Sequence, residues 1–167
     1  MGPAFAAVGA GIAALLESTI ASRYHIFGAE VQISLVLAIA VTLVFGFEEG
    51  MTWAFVGGLC LDFFSMRPLG STVFVMLVAV AITTVAEPLL SRSRYAGCVI
   101  ACVVVTPIYM VLADVTTGLL QTASPSLHLT TLIAGSAANA LVAAVLAPLV
   151  IGIKRRAENR ERVLWWR

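Results

Sequence analysis

The sequence predicts an all-α integral membrane protein, a compact bundle of six transmembrane helices. Its 167 residues are 60% hydrophobic and 11% charged, and the mean hydropathy is +1.02. A soluble domain is about 45–50% apolar and about 25% charged, so a soluble core of this size could not bury so much apolar surface. Several apolar runs are long enough to cross a bilayer. A model with six spans also gathers most basic residues on one side, which supports the count of six.

The order of the apolar runs predicts one transmembrane domain over residues 1–153. About 20 apolar residues cross the hydrocarbon core. No basic residue precedes the first run, so we expect a retained helix there and not a cleaved signal peptide. A basic tail containing Trp165 and Trp166 follows over residues 154–167. The predicted spans are residues 3–21, 31–47, 50–66, 71–90, 95–120 and 127–153.

The third predicted helix carries a stripe of small residues that ends on an acid. Positions 50, 54, 58 and 62 recur every four residues, so they share one helix face. Small residues let a neighbouring backbone approach closely, and a carboxylate on the same face points into protein. Position 70 permits a turn after Pro68, and the sixth helix repeats the stripe at Gly135, Asn139, Ala143 and Ala147. The candidate helix-packing or partner-interface residues are Gly50, Ala54, Gly57, Gly58, Asp62 and Gly70.

Each of the first, third and fifth predicted helices carries one intramembrane acid, and these are Glu17, Asp62 and Asp114. Counting the helical rise places all three in the outer half of the membrane. Arg23 and Arg67, with the two histidines, fall near the same outer surface and are candidate partners. Intramembrane acids suggest proton or cation transport. Alternatively, they are internal hydrogen-bonding ties among the odd-numbered helices, which we favour because broken helices or inverted halves are not evident.

The basic residues predict the orientation. With six spans, eight of the ten Lys and Arg residues fall on the side of the C-terminus and two on the other. The positive-inside rule then predicts that both termini are cytoplasmic. The tail is expected to lie along the anionic inner leaflet, with docking of a cytoplasmic partner as the alternative.

Other function classes find little support in the sequence. A net charge of +1 disfavours a nucleic-acid partner. The three cysteines lie in apolar runs and lack redox or zinc spacing. Only two histidines exist, and no motif of a hydrolase, phosphate loop or metalloprotease is present. We therefore predict no catalytic residue, no cofactor and no metal.

Three blocks of residues, taken together, resemble the family of the rod shape-determining protein MreD. They are Leu-Leu-Glu-Ser at 15–18, His-Ile-Phe-Gly at 25–28, and the glycine-rich block at 50–70 that contains Asp62. The motifs cover the first half of the chain, and the second half agrees in hydropathy. The family often opens its second helix with Pro-Asp-Leu, whereas this chain has Val-Gln-Ile at 31–33, so no role is carried onto those positions.

The resemblance implies a non-enzymatic inner-membrane subunit of the bacterial cell-elongation machinery. Such a protein would bind MreC and belong with RodA, its penicillin-binding transpeptidase and the MreB filament, and the stripes would leave a face for the transmembrane helix of MreC. The MreD family is also similar in architecture to the S components of energy-coupling-factor vitamin transporters. That is the alternative function, and Ala6, Ala10 and Ala14 could then meet the transporter partner. The short outer loops, with Tyr24, His25 and Phe27 as the main exceptions, offer little for a vitamin site.

Overall fold

The computed structural model describes residues 3–20, 25–26, 29–65, 68–90, 93–121 and 128–164, and within them it contains six helices and one short hairpin. The hairpin pairs β1 (His25–Ile26) antiparallel with β2 (Ala29–Glu30). It lies where the sequence predicts only a connector, so the fold adds this hairpin to the predicted helices. The helices are α1 (Pro3–Ile20), α2 (Ile33–Phe45), α3 (Phe47–Phe64), α4 (Ser71–Leu90), α5 (Arg94–Gln121) and α6 (Leu129–Leu164).

Helix α2 is the centre of the bundle. It packs against each of the other five helices. Its sequence is apolar on every side, as expected for a helix surrounded by protein. Around it, α1 packs on α3, α3 on α4, α4 on α5, and α5 on α6. Among the described residues α1 and α6 are not a closely packed pair, so the ring has a gap between them. The buried residues of α2 are Ser34, Leu35, Val36, Ala38, Ile39, Ala40, Val41, Thr42 and Val44.

A single glycine joins α2 to α3. Gly46 has φ of 123°, a conformation that favours glycine. Its N–H donates to the carbonyl of Thr42 at 3.0 Å, and its own carbonyl accepts from the N–H of Gly50 at 3.1 Å. The sequence predicts the break at Glu48 and Glu49, but both lie in the first turn of α3. Their charges instead suit the positive end of that helix.

The lengths of the helices differ more than the sequence predicts. Among the described residues, three helix segments are long and apolar enough to cross a membrane, namely Ser71–Leu90, Arg94–Leu119 and Leu129–Ala157. Helix α2 has 13 residues, which rise only about 20 Å against a hydrocarbon core of about 30 Å. Helix α6 continues to Leu164, so most of the predicted tail is an extension of the last helix. These apolar helices show that the chain is a membrane protein.

The small-residue stripe of α3 packs against two neighbours. A Cβ at Gly50 would collide with the side chain of Thr42 on α2. A Cβ at Gly58 would lie 2.7 Å from the Cα of Val73 on α4, a backbone atom that cannot move aside. Ala54 between them is buried. Glycine at 50 and 58 therefore lets α3 approach α2 and α4 more closely than any larger residue would.

Replacing Gly58 by alanine should destabilise the protein by about 1–3 kcal/mol, because the added methyl overpacks the α3–α4 contact. The matched control is Gly152→Ala on α6, where a Cβ would meet no atom within 4 Å. That change should be neutral or slightly stabilising, since alanine favours a helix over glycine. Thermal unfolding of both variants in detergent measures the difference. Equal stability of the two would contradict the close α3–α4 approach.

Candidate functional site

Asp62 near the end of α3 holds the start of α4. The side chain is only 1% exposed. Its Oδ2 accepts from the N–H of Gly70 at 2.7 Å, and its Oδ1 accepts from the N–H of Thr72 at 3.0 Å and the hydroxyl of Ser71 at 3.3 Å. The first N–H groups of a helix have no partner within it, and a carboxylate there also suits the helix dipole. The prediction of a tie among odd-numbered helices is wrong for these bonds, because the partner is α4.

Glu17 stands in the same relation to the next helix. It is buried near the end of α1, and its Oε2 accepts from the N–H of Ser34 at 2.6 Å. Ser34 is the second residue of α2, so this N–H is also one that the helix itself cannot satisfy. Two of the three intramembrane acids thus bind the start of the helix that follows their own.

Asn139 on α6 joins three helices at the same end of α2. It is fully buried. Its Oδ1 accepts from the N–H of Gln32 at 3.0 Å. Its Nδ2 donates to Gln32 Oε1 and to Thr106 Oγ1 on α5, both at 3.3 Å. The sequence marks Asn139 only as a member of a small-residue stripe. Its signal was the amide itself, because such side chains inside membrane helices form bonds between helices.

Lys154 closes the other end of α2. Its Nζ donates to the carbonyl of Val44 and lies 6.0 Å from the ring centroid of Phe45. The last four carbonyls of a helix lack partners within it, and a cation there suits the negative end of the dipole. The sequence treats Lys154 as the first residue of the tail, but it belongs to the packing of α2. Helix α6 therefore contacts both ends of the central helix.

The remaining predicted polar residues do not join this arrangement in the described part of the chain. Asp114 is half-buried in α5 and lies about two turns before the end of that helix, unlike Glu17 and Asp62. Arg23 and Arg67, the candidate outer-face partners, lie outside the described residues.

Apart from Gly70, which is exposed in the turn before α4, the small residues that the sequence offers as a partner interface lie inside the bundle. A Cβ at Gly57 would be 3.7 Å from the Cβ of Ala10 on α1, and Gly58 faces α4. Ala6, Ala10 and Ala14 are all buried. These positions pack the helices of the chain against one another and do not present a free surface.

No group of three or more His, Cys, Asp and Glu side chains that could hold a metal ion occurs in the described residues. The oxygens of Glu17 and Asp62 accept hydrogen bonds from helix starts. The chemistry of this arrangement is therefore the satisfaction of backbone groups, which fixes how the helices sit relative to one another.

These contacts define a helical membrane protein in which Glu17, Asp62 and Asn139 join helices from inside the bundle. The chain also matches the family described as rod shape-determining protein MreD, over residues 7–156. It therefore belongs to the MreD family, which gives it a role in determining rod shape. No curated protein and no solved structure matches the chain.

Replacing Asp62 by asparagine should cost less than replacing it by alanine and should leave rod shape largely intact, because asparagine keeps one of the two acceptor oxygens and loses only the bond to one backbone N–H. Replacing it by alanine leaves the N–H groups of Gly70 and Thr72 unbound and should cost about 1–3 kcal/mol. Thermal unfolding in detergent and complementation of cell shape test the pair. Loss of rod shape in a well-folded Asp62→Asn protein would mean that the charge itself is needed.

Replacing Asn139 by leucine should destabilise the protein by about 1–3 kcal/mol, since the partly buried N–H of Gln32 loses its acceptor. The matched variant Thr106→Val removes one of the two acceptors of Asn139 Nδ2 and keeps the side-chain shape, so a smaller loss is expected. The unfolding temperatures of the two proteins in detergent show which variant loses more stability. A larger loss in Thr106→Val than in Asn139→Leu would contradict the assigned role of Asn139.

Proposed function

We propose that this protein is a non-enzymatic subunit of the bacterial cell-elongation complex in the inner membrane. It would bind MreC directly and help control cell shape and lateral peptidoglycan synthesis. RodA, its penicillin-binding transpeptidase and MreB would belong to the same complex. The observation that carries the proposal is the match to the MreD family over residues 7–156, a range that extends into all six helices.

The interior of the bundle supports a role as a scaffold. Its buried carboxylates and its buried amide accept hydrogen bonds from helix starts. Side chains used in this way hold a shape. A scaffold of fixed shape acts through the surface that it presents to partners.

A crossing of the membrane by all six helices, with both termini in the cytoplasm, is part of the proposal. The support is the distribution of charge, eight basic residues against two. The apolar stretch of α5 begins just after Arg94, and that of α6 ends at Ile153, just before Lys154 and two arginines. Both ends would lie at the cytoplasmic surface.

The partner surface that we favour is on α1. This helix packs on α2 and α3 and borders the gap between α1 and α6. Ala7 and Gly11 are four residues apart and only half-buried, and a Cβ at Gly11 would meet no atom within 4 Å. Two small residues at this spacing let another helix approach closely. We therefore propose that the transmembrane helix of MreC packs on this face of α1.

Replacing Gly11 by leucine should lower recovery of MreC with the purified protein by about tenfold, because a bulky residue in a helix contact costs about 1–3 kcal/mol. The matched control is Gly152→Leu, at another helical glycine with open space around it, and it should leave recovery unchanged. Co-purification from native membranes in detergent measures both. Size-exclusion chromatography checks that each variant is folded.

Two outcomes would contradict the proposal, and they are distinguishable. Equal recovery of MreC by wild type and Gly11→Leu would mean that the interface lies elsewhere than on α1, and it would not contradict the scaffold function. Recovery of a vitamin and an ATPase module in place of MreC would contradict the scaffold function itself and favour a transporter S component.

A further inference from the structure

A basic cavity lies where α2 ends, α5 begins and α6 leaves its apolar stretch. Its volume is about 430 Å³, within the range of sites that bind small ligands. None of its described lining residues is acidic. The lining residues are Val44, Ser93, Arg94, Tyr95, Ile151, Lys154 and Arg155.

The charge of this cavity is positive on two sides. Arg94 comes from the start of α5, and Lys154 and Arg155 come from α6. Lys154 is held in place by its hydrogen bond to the carbonyl of Val44. The first turn of α5 contains no acid, so the positive end of a 28-residue helix dipole adds to the same field. The cavity is therefore suited to an anion with several acceptor oxygens.

The position of the cavity along the helices indicates the source of that anion. The uncharged apolar stretch of α5 begins after Arg94, and that of α6 ends at Ile153, directly before Lys154 and Arg155. In a membrane-spanning helix, such a change from apolar to basic residues falls where hydrocarbon gives way to headgroups. Tyr95, which is exposed, is a side chain enriched at that level. Val44 and Ile151 give the same cavity an apolar wall.

We propose that this cavity binds the phosphate of an anionic phospholipid, with the headgroup between Arg94 and Arg155 and an acyl chain leaving along the apolar side. Guanidinium groups bind phosphate oxygens in a bidentate manner, and the ammonium of Lys154 adds a point charge. The hydroxyl of Ser93 is a further donor at the mouth. A free phosphate offers the same oxygens without the acyl chains. The proposal depends on the membrane location of the chain and not on its binding to MreC.

Native mass spectrometry of the full chain in detergent tests the site, with phosphatidylglycerol and phosphatidylcholine supplied in equal amounts. Wild type should retain phosphatidylglycerol in preference by about tenfold. Each of Arg94→Gln and Arg155→Gln should reduce its retention about fivefold, on the order of 1 kcal/mol for one basic residue near an anionic lipid. The matched control is Arg156→Gln, an exposed neighbour with the same charge that does not line the cavity. It should change retention less than about twofold, because its charge lies outside the cavity and is screened by solvent.

Three results would overturn the proposal. Equal loss in Arg155→Gln and Arg156→Gln would mean that general surface charge attracts the lipid, and equal retention of the two lipids would mean that the cavity does not select for charge. Displacement of phosphatidylglycerol by millimolar inorganic phosphate would identify a free anion as the ligand. Persistence of the lipid under that competition, with loss only in the two cavity variants, is the expected result.

Discussion

The structure depends on the hydrogen bonds that the terminal backbone N–H and C=O groups of α2 make with other helices. This helix has 13 residues and is shorter than the hydrocarbon core is thick, so other parts of the protein must bond its terminal backbone groups. Glu17 and Asn139 accept from its first N–H groups, and Lys154 donates to a carbonyl in its last turn. Because Asn139 and Lys154 both belong to α6, the last helix binds both ends of the central one. Five helices then pack around that axis.

The acids of the first and third helices, Glu17 and Asp62, both accept hydrogen bonds from backbone N–H groups that a helix start leaves without a partner. Each lies near the end of one helix and binds the start of the next, so the turn and the carboxylate form one unit. In a medium without water, an unbound N–H group costs far more than it does at a soluble surface. A charged residue within an apolar segment is thus compatible with structure alone. Asp114 lies further from the end of its helix and does not belong to this pattern.

Much of this fold can be predicted from the sequence because membrane helices have a direct compositional signal. Ser71–Leu90 is helical over the predicted residues, since apolar content and the preceding turn determine both ends. The turn at Gly46 was missed because it takes one residue and depends on a positive φ. The end of α6 was missed because basic residues mark where the apolar stretch ends, and a helix can continue past that point. Hydropathy reports the environment of a segment and not its hydrogen bonding.

The candidate site was harder to predict for a related reason. Sequence spacing shows that Gly50, Gly58 and Asp62 share a helix face, but it cannot show what that face meets. In the structure Gly50 meets α2, while Gly58 meets α4 and Asp62 binds the start of α4. A stripe of small residues therefore has two possible meanings, packing within the chain or packing with a partner. The space around each glycine separates them, because Gly58 has no room for a methyl group and Gly11 has open space. On that criterion the stripe on α3 builds the bundle, and the smaller pair on α1 remains available to another helix.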